Sequence, residues 1–155
     1  MGWPILQYPT SQASENQTLD EVRQTLNKQR STKPIGAIVV EPVNSQTGHS
    51  LRSQFITDLG TIAHESGAAL VVDETNTGCG ATGTSFWAYS GSAADYLTFG
   101  KRTQATGYFF NSNKGSIVRT GGSEFDVALF TQIKKEIDGA NLVELVGRVG
   151  KSLLT

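Results

Sequence analysis

Two kinds of apolar pattern alternate along the 155-residue chain. The first is helical. Leu19, Val22 and Leu26 mark one face of a helix running to about Arg30, at the three-to-four-residue spacing of an amphipathic helix. Thr18 with Glu21 has capping-box spacing, so the helix is expected to begin there. Residues 1–18, rich in Ser, Gln and Pro, read as loop or extended chain. Leu51, Phe55, Leu59 and Ile62 predict a second helix over about 50–66, with Gly67 at its C-terminal cap. Ser123 is expected to cap a third over about 124–137, and residues 142–154 form the last.

The second pattern is the short apolar, β-branched run. Residues 35–40 and 68–72 predict strands buried on both faces. Residues 96–99 and 107–110 predict two more, and Gln46-Thr47-Gly48 a turn. Strands alternating with helices make an α/β fold with a mainly parallel sheet. Ligands of such sheets gather at the carboxyl ends of the strands. Three strands here end in chemically useful residues: Glu41, Asp73-Glu74 and Lys101.

Composition narrows the function class. Charged residues make up 17 % of the chain and the net charge is −1. No basic excess exists to neutralise phosphates, so a nucleic-acid binder driven by bulk charge is excluded. A single cysteine, Cys79, excludes an internal disulfide framework and a cysteine-based zinc site. No apolar run approaches the ~20 residues of a membrane span. The start, Met1-Gly2-Trp3-Pro4, has neither the charged and apolar regions of a secretory signal nor the Arg-rich amphipathic character of a transit peptide. Both ends are expected to be cuts from a larger fold.

Several residues have more than one chemistry open to them. Asp73, at a strand end before a Gly-rich loop, can cap a turn, bind a metal or pair with a cationic ring or side chain. His49 and His64 lack the spacing to complete a metal site. Lys101 is either a lysine snorkelling at the sheet edge or an imine-forming amine, which requires desolvation. The loop 77–83 carries three glycines and either presents amides to a phosphate or is a turn; it matches no nucleotide-binding fingerprint. Thr120-Gly121-Gly122-Ser123 is either an anion site at a helix start or a plain cap. Cys79 reads as a packed residue, Phe86-Trp87 as core, and His64 as solvent-facing or packing.

Taken in order, the motifs form a recognisable series: Trp3-Pro4-Ile5, Tyr8-Pro9, Ile38-Val39-Val40-Glu41-Pro42-Val43, Val71-Val72-Asp73-Glu74-Thr75-Asn76-Thr77-Gly78, Phe86-Trp87-Ala88, Thr98-Phe99-Gly100-Lys101-Arg102 and Thr120. The chain resembles the class III, fold-type I aminotransferases that use pyridoxal phosphate, and within them the 4-aminobutyrate branch. The resemblance implies that residues 1–155 are the second half of the large, cofactor-binding domain. On this expectation the family's N-terminal half and its small domain are absent, leaving an open sheet edge that invites a complementing polypeptide, a homodimer or a larger assembly. It implies that Lys101 forms the covalent link to pyridoxal 5′-phosphate and shuttles a proton. Asp73 would pair with the ring nitrogen and keep it protonated, and Thr120 would contact the phosphate across a dimer interface. Asn76 stands where the family has a glutamine near the ring's phenolic oxygen. Gln46 stands where its 4-aminobutyrate enzymes carry a glutamate near the substrate pocket, and Glu41 is a second pocket candidate. The implied reaction moves an amino group from 4-aminobutyrate, or a similar small amine, to 2-oxoglutarate, in mitochondrion or cytosol. An inactive relic serving as a structural subunit is the alternative. A nucleotide-binding module is a third, without a fingerprint to support it.

Overall fold

The computed structural model describes residues 3–111 and 123–153. Helix α1 spans Gln12–Gln29, two turns longer at its start than the pattern predicts. Its cap is Ser11: the Ser11 Oγ accepts from the Ser14 amide at 3.2 Å, and the Ser14 Oγ accepts from the Ser11 amide at 2.9 Å. Thr18 is instead an interior residue whose hydroxyl donates to the Ser14 carbonyl at 2.8 Å. The first turns escape a hydrophobicity count because the inward residue there is a carboxylate. Glu15, buried like Leu19, Val22 and Leu26, accepts from the Arg52 amide at 3.0 Å and from its guanidinium at 2.5 Å.

Strand β1 (Ala37–Val40) leads through a turn at residues 44–48 to α2 (Ser53–Glu65), then to β2 (Ala69–Asp73), β3 (Tyr96–Phe99) and β4 (Gly107–Phe110). A single turn of 3-10 helix, Lys101–Thr103, joins the last two strands. Helices α3 (Glu124–Gly139) and α4 (Leu142–Leu153) complete the chain. The sheet order is β1-β2-β3-β4, the first three strands parallel and β4 antiparallel to β3. The α/β architecture with a mostly parallel sheet is therefore as the alternation predicts.

The core lies between α1, α2 and one sheet face. Leu19, Val22 and Leu26 of α1 meet Phe55, Ile56, Leu59, Ile62 and Ala63 of α2 over Leu70 and Val72 of β2. Burial of both sheet faces does not hold. Leu70 and Val72 are fully buried, while Ala69, Val71 and Asp73 alternate with them as half-buried residues. In β1, an edge strand, Ile38 and Val40 pack on the core, but Val39 is 51 % exposed. Helices α1 and α2 cover one face, so alternate side chains of each run are only partly buried or exposed. A second cluster is aromatic: Phe130 of α3 stacks within 5.1–6.1 Å of Phe99, Phe109 and Phe86, and Trp87 joins them.

Candidate active site

The carboxyl ends of β1, β2 and β3 bring Glu41, Asp73, Asn76 and Lys101 to one end of the sheet. Register explains part of this, since Asp73 lies opposite Thr98 on the neighbouring strand. The Asp73 Oδ1 accepts from the Thr75 amide at 2.9 Å, from the Thr98 hydroxyl at 2.8 Å and from the Thr75 hydroxyl. Burial pushes the Asp73 carboxyl up, but these donors and the nearby Lys101 charge outweigh it and hold the group below the usual carboxylate range. Asp73 is thus held toward its ionised form, and its described bonds all end on one oxygen, Oδ1.

Lys101 follows Gly100 directly after β3, and its backbone sits in the left-handed region at φ +49°. A non-glycine residue pays about 1–2 kcal/mol for that conformation, and such residues gather at functional sites. The turn aims the amine at Asn76, whose Oδ1 accepts from Nζ. The Asn76 Nδ2 donates to the Glu41 Oε1 at 3.0 Å. The other Glu41 oxygen accepts from the Ser45 amide at 3.1 Å and hydroxyl at 3.3 Å.

Gln46 is an exposed residue of the 44–48 turn, its amide donating to the Asn44 Oδ1 at 3.0 Å. The structure does not bring it into the Glu41–Asn76–Lys101 chain of bonds. Thr120 lies outside the described residues, as does most of the 120–123 anion-site candidate. Ser123 itself is a cap: its Oγ accepts from the Asp126 amide at 3.2 Å, and Asp126 returns the bond at 2.8 Å.

The Gly-rich loop is not an open cradle of amides. The amides of Thr77 and Gly78 donate to the Glu74 carbonyl, that of Gly80 to Phe86 and that of Gly83 to Gly80. Its glycines allow close approach instead. A Cβ on Gly78 would lie 2.7 Å from the Trp87 ring, and one on Gly83 would lie 2.4 Å from the Gly147 nitrogen of α4. Glu74 anchors the far end of the loop: buried, it accepts from the Thr77 hydroxyl and from the Ala88 and Tyr89 amides at 3.0 and 2.7 Å. His64 is a partner of a buried carboxylate rather than a bystander, with Nε2 2.8 Å from the Asp95 Oδ2. Burial pushes the Cys79 thiol up, against the Arg102 charge. Among the described residues no three His, Cys, Asp or Glu side chains group to hold a metal, and no helix is long and apolar enough to cross a membrane.

Sequence reading missed Thr75 and Thr98. The spacing of Thr75 from Asp73 is that of an Asx turn and was a usable signal. Thr98 is visible only through sheet register. The Glu15–Arg52 pair leaves no local signal at all.

The chain resembles known proteins along most of its length. The family model for class III aminotransferases matches residues 2–117. The chain is 34 % identical to the mitochondrial 4-aminobutyrate aminotransferase of Mus musculus, covering 99 % of this chain and 35 % of that protein. It is 35 % identical to the 4-aminobutyrate aminotransferase of Mycosarcoma maydis over 70 % of this chain and 25 % of the relative. The solved lysine aminotransferase from M. tuberculosis superimposes with a TM-score of 0.74 at 24 % identity, over 96 % of this chain and 38 % of its own, which speaks for the fold. The chain therefore spans about a third of the length of such relatives. Motif order, fold and family match agree: this chain belongs to the class III aminotransferases.

Proposed function

We propose that the chain is the lysine-bearing part of a pyridoxal-phosphate aminotransferase large domain. The observation that carries this reading is the meeting of an ionised Asp73, an amide at Asn76 and the Lys101 amine at the strand ends. These residues fit the cofactor. A carboxylate bonded on one oxygen has the other for a protonated pyridine nitrogen; the Lys101 amine, exposed in this chain, can condense with an aldehyde once a bound cofactor and the surrounding domain desolvate it. When bound, pyridoxal phosphate supplies an electron sink for the carbon from which a proton is removed.

The chain's own residues then divide the work. Asp73 would pair with the protonated ring nitrogen, and its bonds from Thr75 and Thr98 would keep it ionised there. Lys101 would hold the cofactor and carry a proton to and from the reacting carbon of the substrate. Asn76 would sit near the phenolic oxygen, and the resemblance assigns Thr120 to the phosphate. The substrate is a small amino acid. 4-Aminobutyrate with 2-oxoglutarate is the pair suggested by the relatives' names, with mitochondrion or cytosol as the compartment. Glu41 and Gln46 border the pocket.

A second reading is favoured by the half-covered sheet, with Val39 exposed on an edge strand. In it the chain is an inactive structural subunit of a larger assembly. Visible absorption of the purified native assembly separates the two. A band that disappears in Lys101→Ala supports the enzyme; no band in either form supports the structural subunit.

A further inference from the structure

The amide of Asn76 has an orientation dictated by its two neighbours. An ammonium has three donors and no acceptor, whereas an ionised carboxylate accepts only. With Lys101 Nζ on one side and the Glu41 Oε1 on the other, only one orientation satisfies both: Oδ1 toward the lysine and Nδ2 toward the carboxylate. Glu41 is in turn fixed by the Ser45 amide and hydroxyl. A flipped amide would set Nδ2 against the ammonium and Oδ1 against the carboxylate, two repulsive contacts.

We propose that Glu41 is a positioning residue that locks Asn76 with its carbonyl toward Lys101, so that Asn76 holds the Lys101 amine in place until an aldehyde competes for it. This deepens the reading of Lys101 as the reactive amine and rests on it. It gives Glu41 a task distinct from lining a substrate pocket. It also gives the shortened side chain at 76 a task, since the bridge needs a side chain reaching both groups. Among the described residues, Asp73 on β2 also feels the Lys101 charge.

The test needs no bound cofactor. The full chain in its native assembly is treated with hydroxylamine to remove any bound carbonyl compound. It is then reductively methylated with formaldehyde and cyanoborohydride at one near-neutral pH, and the rate of labelling at Lys101 is mapped by mass spectrometry. Lys28 and Lys33, outside the site, are internal controls. Glu41→Gln is expected to raise the Lys101 labelling rate severalfold, with the controls unmoved. In an Asn76→Ala background the same Glu41→Gln change is expected to have no further effect, because the bridge is gone. An unchanged rate in Glu41→Gln overturns the proposal. So does an equal change with and without Asn76, which would mean the carboxylate acts through space. Asn76→Ala alone is expected to raise the rate at least as much as Glu41→Gln; if Glu41→Gln does not fold, this variant decides, and a rate left in place overturns the proposal. Should the absorption test fail while this one succeeds, the bridge stands without catalysis.

Discussion

Two glycines three residues apart on α4 are expected to respond in opposite directions to the same change. Gly150 has nothing within 4 Å of an added Cβ, whereas a Cβ on Gly147 would sit 2.7 Å from the Gly83 carbonyl oxygen. Helix propensity favours alanine over glycine by about 0.8–1.0 kcal/mol at an interior position. Gly150→Ala, one turn from the helix end, should gain about half of that. Gly147→Ala gains the full increment but drives a methyl into backbone, and overpacking of this kind costs about 1–3 kcal/mol. The loop cannot yield easily, because Gly83 is at φ +68° and its own amide is tied to Gly80. The net expectation is a loss of up to about 2 kcal/mol at 147 and a gap of about 0.5–2.5 kcal/mol between the variants. Amide hydrogen exchange of the peptides covering α4 reads this directly, since each tenfold change in protection is about 1.4 kcal/mol. Equal gains in protection for the two alanines would refute the close packing of loop on helix, and with it the reason given for the glycines.

The Asp73 cradle makes a pH-resolved prediction. Thr98→Val removes one donor to the carboxylate and should raise its pKa, followed by carbon NMR of that side chain. Because the folded value lies below the unfolded one, the bond stabilises the fold above the unfolded pKa of ~3.9 and ceases to as pH falls through the folded value. The variant should therefore lose roughly 1 kcal/mol at pH 7, discounted for partial exposure, with the deficit closing in acid; a constant deficit at all pH values would contradict it. Glu74→Gln leaves an amide facing the Ala88 and Tyr89 donors, and should cost about 2–4 kcal/mol in urea unfolding; a loss under about 1 kcal/mol would mean the carboxylate does not anchor the loop. The Cys79 thiol should react slowly with a disulfide reagent at neutral pH, and more slowly in Arg102→Ala, since that cation opposes the effect of burial; a faster reaction would contradict the pairing.

Sequence pattern located the elements wherever burial is apolar. The ends of β3 and β4 and the start of α3 fall where alternation and Ser123 place them. It failed where a polar residue does an apolar residue's work. The opening turns of α1 are organised by Ser11, Ser14 and the buried Glu15, whose partner Arg52 is 37 residues away. It also failed for faces. The runs in β1 and β2 look buried on both sides, yet the described helices α1 and α2 cover only one. At the site, the strand ends singled out Glu41, Asp73 and Lys101, and the family resemblance added Asn76. Their bonds to one another could not be read, because side-chain hydrogen bonding between strand ends depends on register and loop path. For the glycines of 77–83 composition left two readings open, a phosphate cradle or a turn, and in the structure two of them serve close packing against Val143 and Gly147.

On the function proposed above, Lys101 and Asp73 serve one and the same ring. Borohydride reduction of the native assembly soaked with pyridoxal 5′-phosphate, followed by peptide mapping, tests this directly. The reduced adduct is expected on the peptide bearing Lys101, with its yield falling at least tenfold in Asp73→Asn. Adducts spread over Lys28, Lys33 and Lys134, or a Lys101 yield indifferent to Asp73, would contradict it.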